Sequence, residues 1–208
     1  MKFIFAFIAP LFLASCGMFG NFENPAYNVQ LEEGDIQIRN YESKIIAQVE
    51  VEGDRDESLN KGFRLLADYI FGNNTTETDI AMTTPVGQSK DNSEEIAMTV
   101  PVTQKKSSDD ERGKWVVDFT MPSKYTLETL PKPNNSQVEI VKTEPKKVAA
   151  ITFSGFASSE NFEENSVKLL DYLNKNNYEV NSTPEYLYYD PPWTPWFMKR
   201  NEVLVEIK

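Results

Sequence analysis

The chain has 208 residues, is 40% hydrophobic and 12% aromatic, carries a net charge of -11 and contains no His. That supplies one well-buried domain rather than two, and the acidic balance excludes a broad Lys/Arg surface for nucleic acid or anionic membrane. Without His there is no Ser-His-Asp triad, His-ligated zinc or copper, or proximal His for haem, and a single Cys excludes internal disulfides and Cys-based metal clusters.

Residues 1–15, MKFIFAFIAPLFLAS, read as a signal peptide. Lys2 precedes an apolar stretch from Phe3 to Leu13, too short to cross a bilayer core of about 30 Å as a helix. Leu13-Ala14-Ser15-Cys16 resembles the bacterial lipobox, which implies that Cys16, the only Cys, is lipidated and begins the mature chain. Acyl chains add about 0.8 kcal/mol of membrane affinity per buried CH₂, so two or three of them anchor firmly. Residues 16–27, with Gly17, Gly20, Asn21, Asn24 and Pro25, read as a tether, and 28–208 as the folded domain. Gly17 after the Cys points by analogy to the periplasmic face of the outer membrane.

Within the domain, Asp35 to Gly53 aligns without a gap to Gln137 to Gly155. Ile38/Ile140, Glu42/Glu144, Lys44/Lys146, Ala47/Ala149 and Gly53/Gly155 are identical. Each copy reads as strand, turn, strand by its period-two alternation. A helix follows each copy. The first is predicted at Glu57 to Phe71, with Leu59, Phe63, Leu66 and Ile70 as its apolar stripe. The second is predicted at Ser159 to Lys175, with Phe162, Val167, Leu170 and Leu173 inward. Gly72 and the pairs Asn73-Asn74 and Asn176-Asn177 suit helix C-termini. IAMTTPV (Ile80 to Val86) and IAMTVPV (Ile96 to Val102) read as two arms of a hairpin, turning at Gly87 to Glu95 and laying Met82 and Met98 into the barrel lining. Further strands are predicted at Trp115 to Met121, Tyr186 to Tyr189 and Glu202 to Ile207. Thr103 to Gly113 and Pro122 to Ser136 read as polar loops, and Lys105-Lys106 and Lys146-Lys147 as solvated turns. The expected fold is α+β: duplicated ββαβ-type units forming an open antiparallel β-barrel with two helices packed outside.

Three pieces then carry a family resemblance: the doubled Ile-Ala-Met-Thr-x-Pro-Val, Tyr69-Ile70-Phe71-Gly72-Asn73, and Tyr189-Asp190-Pro191-Pro192 with Pro195 and Lys199-Arg200-Asn201-Glu202-Val203. The chain resembles the SOUL haem-binding family over about residues 27 to 208. The resemblance implies a non-enzymatic protein binding haem or another tetrapyrrole in a cleft between the first helix and the Pro-Pro loop, with basic side chains meeting the propionates. At the matching positions this chain carries Asn60, Asp68 and Thr194, none of them basic. Lys61, Arg64, Lys199 and Arg200 are the nearby cations.

The candidate ligand-binding residues are Asn60, Phe63, Arg64, Ala67, Trp193 and Trp196. Trp193, Trp196 and Phe197 crowd a proline-stiffened loop and either cap the barrel or wall a flat hydrophobic ligand. Without His, an axial ligand to haem iron is Met or Tyr, or is absent; past the tether the Met residues are Met82, Met98, Met121 and Met198. The alternative is a scaffold or interaction lipoprotein that keeps the fold and has lost the haem site. Acid–base catalysis through Asp68, Glu185 or Asp190 and copper(I) binding through Met82 and Met98 are weaker readings.

Overall fold

A computed structural model describes residues 22–76, 93–107 and 113–208. The signal peptide, Cys16, the stretch IAMTTPV with Met82 and most of the turn after it lie outside the described residues.

The strands are β1 (Tyr27–Glu33), β2 (Ile36–Tyr41), β3 (Ile45–Glu52), β4 (Asn74–Thr75), β5 (Val102–Lys106), β6 (Lys114–Thr120), β7 (Lys132–Pro133), β8 (Glu139–Lys142), β9 (Lys146–Phe153), β10 (Glu185–Tyr188) and β11 (Asn201–Glu206). Two helices, α1 (Arg55–Ile70) and α2 (Ser159–Lys175), each follow one repeat copy. Nine strands form one curled sheet in the order β1-β2-β9-β11-β10-β5-β6-β3-β8, every neighbouring pair antiparallel. Among the described residues β1 and β8 end the sheet without pairing to each other, so the sheet is a half-barrel. From β2 to β8 the order is palindromic: exchanging β2 with β8, β3 with β9, β5 with β10 and β6 with β11 reverses it onto itself.

Local sequence sets the helix ends. The Asp54 carboxylate accepts the Glu57 N–H at 2.8 Å and caps α1; the Ser158 hydroxyl accepts the Asn161 N–H at 3.2 Å and caps α2. The repeat glycines before those caps, Gly53 and Gly155, have φ of 142° and 119°, a backbone region that side chains with Cβ avoid.

Both helices lie on one face of the sheet and build two cores. Ala47, Val49, Leu66, Tyr69, Val117 and Phe119 form the first; Ile38, Ala149, Phe162, Leu169, Leu173 and Val203 are in the second. The buried stripe of α1 is Ser58, Gly62, Leu66, Tyr69 and Ile70, not the stripe expected through Phe63, which is 37% exposed. Gly62 explains the rotation: a Cβ there would stand 2.6 Å from the Val117 side chain, so the helix meets β6 at its glycine. In α2, Ser166 and Leu169 are buried and Val167 is exposed; the Ser166 hydroxyl donates to the Phe162 carbonyl one turn back.

Other expectations are corrected. β5 runs through Thr103 to Lys106, expected as a loop; buried Gln104 satisfies its amide between the Arg55 carbonyl of α1 and the Tyr188 hydroxyl of β10. Lys146 and Lys147 begin β9 rather than sit in a turn. The stretch IAMTVPV is irregular up to Val102, with Ile96 donating its N–H to the Ile70 carbonyl and Val100–Pro101 in the cis form. β1, read partly as tether, is a strand whose outward residues gave no alternation.

Candidate functional site

The loop from Tyr189 to Arg200 joins β10 to β11 and presents an aromatic ledge. Trp193, Trp196, Phe197 and Met198 are 73%, 54%, 61% and 54% exposed. Trp196 stacks on Phe156 at 5.9 Å and meets Phe197 edge-on at 5.7 Å. Phe156, itself exposed, lies between β9 and α2 and was not a sequence candidate; an aromatic beside the positive-φ Gly155 was the available signal. The ledge is braced from below. The Gly155 N–H donates to the Trp196 carbonyl, the Asn201 side chain donates to the Gly155 carbonyl, and Lys199 Nζ donates to the Pro192 carbonyl. The Arg200 N–H donates to the Asp190 carboxylate at 2.7 Å. Large apolar groups held toward water by a braced loop are a candidate for a recognition surface.

The helix candidates sit apart from this ledge. Asn60, Phe63 and Arg64 line a shallow depression with Glu57 and Lys61, all on α1. Asn60 donates to the Asp56 carbonyl, and Arg64 Nε to the Asn60 carbonyl. Phe63 rests edge-on against Phe119 at 5.4 Å. Ala67 is half-buried. Lys61 pairs with Glu57 at 2.7 Å. Asp68 accepts a hydrogen bond from Asn73, and the Thr194 hydroxyl is buried without a partner among the described residues. Where α1 does approach the ledge, it is by its first turn. Arg55 Nη2 donates to the Ala157 carbonyl beside Phe156, and Gln104 bridges the Arg55 carbonyl to the Tyr188 hydroxyl at the root of the loop. Phe63 and Ala67 follow Arg55 by about 12 and 18 Å along the helix axis.

The sheet face opposite the helices carries a second arrangement that the sequence reading missed. Arg39 and Glu202, both buried, make two parallel hydrogen bonds of 2.8 and 3.0 Å. Glu202 also accepts from Thr152, Tyr189 and Arg200. Burial alone would raise the Glu202 carboxyl; the hydrogen bonds and charge of Arg39, then Arg200, hold it below the usual carboxylate range. Alongside lie Lys44, Lys105, Asp118, Lys146 and Glu185. Lys146 reaches both Glu185 oxygens at 2.9 Å. Burial opposes the Glu185 charge, yet Lys146 and Lys105 keep that carboxyl below its usual value. Asp118 is buried with no hydrogen-bond partner among the described residues, and burial pushes its carboxyl up.

Among the described residues no group of three or more His, Cys, Asp or Glu side chains is placed to hold a metal ion, and no helix is long and apolar enough to cross a membrane. Of the Met side chains there, Met121 is in the first core, Met98 packs against it, and Met198 is exposed on the ledge.

Solved structures share the fold at low identity. The C-terminal domain of EcmrR superposes with a TM-score of 0.58 at 11% identity, covering 88% of this chain and 98% of that one. A protein from Listeria innocua described as a hydrolase superposes with a TM-score of 0.53 at 12% identity, covering 86% of this chain and 94% of its own. No curated protein sequence matches the chain. The sequence model described as SOUL heme-binding protein matches residues 22–206, nearly the whole chain and every strand of the half-barrel, and the protein therefore belongs to the SOUL family.

Proposed function

We propose that the protein binds haem, another tetrapyrrole or a similar planar apolar ligand without catalysing a reaction on it, while a lipid on Cys16 holds it to the cell envelope at the periplasmic face of the outer membrane. The observation that carries the ligand class is the braced ledge of Trp193, Trp196 and Phe197 with Phe156, exposed in a protein of a haem-binding family. Each large aromatic buries about 150–250 Å² when covered. At about 25 cal/mol per Å² that area, rather than any ion pair, supplies the affinity.

Haem fits these residues. It supplies a flat apolar ring, two carboxylates and an iron. The aromatic ledge holds the ring, Met198 offers an exposed thioether, and Lys199 is the loop cation still available to a propionate, because Arg200 is committed to Glu202 at 2.6 Å. Asn60, Phe63, Arg64 and Ala67 form a second edge in this reading, weaker because exposed ion pairs add only about 0–1 kcal/mol. We also read the palindromic strand order, with the sequence repeat, as the trace of a duplicated ββαβ unit.

The second reading, a scaffold or interaction lipoprotein without a haem site, is favoured by Asn60, Asp68 and Thr194, which supply no cation where the family resemblance implies one. Tryptophan fluorescence separates the two. Trp115 is buried in the first core and serves as an internal control for Trp193 and Trp196. Metal-free protoporphyrin is expected to quench the full chain saturably, and the Trp193→Phe/Trp196→Phe variant to lose most of that quenching. No saturable quenching in the wild type favours the scaffold.

A further inference from the structure

A cavity among the described residues lies away from the ledge, and its lining includes a lysine with no ion-pair partner there. It has a volume of about 630 Å³ and lies between the segment Glu23 to Ala26, the turn from Glu42 to Ile45 and the stretch from Thr120 to Glu128. That volume is in the range of small-molecule sites. Its apolar wall is Ile45, Met121, Pro122 and Leu127, the last 49% exposed.

Lys44 reaches into this cavity from the polar sheet face. Its Nζ donates to the Thr120 hydroxyl at 3.0 Å and stands 5.8 Å from the Tyr41 ring centre, with no carboxylate at ion-pair distance among the described residues. Lys146 holds the same position in the second repeat copy and has both Glu185 oxygens. One repeat lysine is thus neutralised by the fold, while its twin faces open volume. Burial lowers the Lys44 amine, an effect that Asp118 opposes without overturning; a carboxylate arriving at Nζ restores the charge that burial disfavours.

The mouth carries Glu23, Glu42 and Glu128 beside Lys142. Glu23 accepts the Ser123 N–H at 2.8 Å, and hydrogen bonding to Thr126 holds the Glu128 carboxyl low. These exposed acids are screened by water and salt, whereas the Lys44 charge is not. They disfavour a multiply charged anion and leave a single carboxylate acceptable at the floor.

We propose that this cavity is a second ligand site, separate from the ledge, which takes a monocarboxylate with a compact apolar body: the carboxylate pairs with Lys44 and the body lies on Met121 and Leu127. The site does not depend on tetrapyrrole binding.

Calorimetric titration of the purified full chain at neutral pH with 2-naphthoate, 2-naphthylmethylammonium and 2-naphthalenemethanol tests it. The carboxylate is expected to bind one-to-one and at least roughly tenfold more tightly than the other two, the scale of a charge-assisted hydrogen bond. Lys44→Met is expected to abolish that preference, with thermal unfolding checking that the variant is folded. Leu127→Glu, a change at an exposed residue, blocks the site without touching the floor and is expected to weaken naphthoate by roughly tenfold as well. Trp193→Ala/Trp196→Ala is expected to leave naphthoate binding unchanged and to remove haemin binding, so the two sites fail separately. Equal binding of the three probes, undiminished naphthoate binding in Leu127→Glu, or loss of naphthoate in the ledge variant overturns the proposal.

Discussion

Glu202 shows how much one side chain organises. It is fully buried and accepts hydrogen bonds from Arg39, Thr152, Tyr189 and Arg200, tying β2, β9, β11 and the root of the aromatic loop to one carboxylate. Removing its charge strands a buried guanidinium, since Arg39 is only 1% exposed. Glu202→Gln is therefore expected to cost about 3–5 kcal/mol, read from chemical denaturation. The pH dependence has a fixed sign. A carboxylate depressed in the folded state contributes stability above its unfolded value of about 4.3, lost as pH falls toward the folded value. Glu202 and Glu185 both act this way, so the wild type loses stability on acidification below about pH 4. A shallower acid limb in Glu202→Gln than in the wild type is the expected outcome, and parallel limbs count against the assignment. The motif Lys199-Arg200-Asn201-Glu202-Val203 was legible in the sequence as a family mark, but its role was not, because Arg39 lies far away in sequence. Lys44 was likewise visible only as one half of a repeated pair.

At the scale of elements, sequence periodicity located both helices and most long strands, and its failures have one physical origin. A hydrophobic stripe predicts burial when apolar bulk makes the contact. Here Ser58, Gly62 and Ser166, which carry no apolar bulk, are among the buried helix residues, and Gly62 makes a close contact with β6. Phe63 and Val167 were therefore assigned inward and stand outward. β5 was missed for the related reason that its buried residues, Thr103 and Gln104, are polar, Gln104 being satisfied by partners distant in sequence. Gly62→Ala tests the contact directly. With Val117 2.6 Å from the added carbon, the variant is expected to lose about 1–3 kcal/mol, although alanine favours helix and would stabilise an exposed site. A more stable variant would show that α1 does not seat on β6 through its glycine.

For the molecule as a whole, the two faces of the half-barrel differ. One face buries apolar cores under the helices; the other holds Arg39, Lys44, Asp118, Glu185 and Glu202 beside a smaller apolar cluster of Tyr41, Val148, Ala150, Leu187 and Leu204. The sequence alone made the fold legible through the repeat and the family motifs. It made the ledge legible in part, through Trp193 and Trp196, while Phe156 and the exposure of Met198 needed the fold. The lipid anchor is a separate claim about the same molecule. Cys16→Ala is expected to move the protein from the membrane to the soluble fraction on cell fractionation, and continued membrane association would remove the anchor.

Ligand binding at the ledge is the central claim, and haemin titration of the purified full chain, followed in the Soret region, measures it most directly. The account predicts a saturable one-to-one Soret shift in the wild type, lost in Trp193→Ala/Trp196→Ala and altered in position in Met198→Ala. No shift at stoichiometric haemin, or an unchanged shift in the double Trp variant, would contradict it.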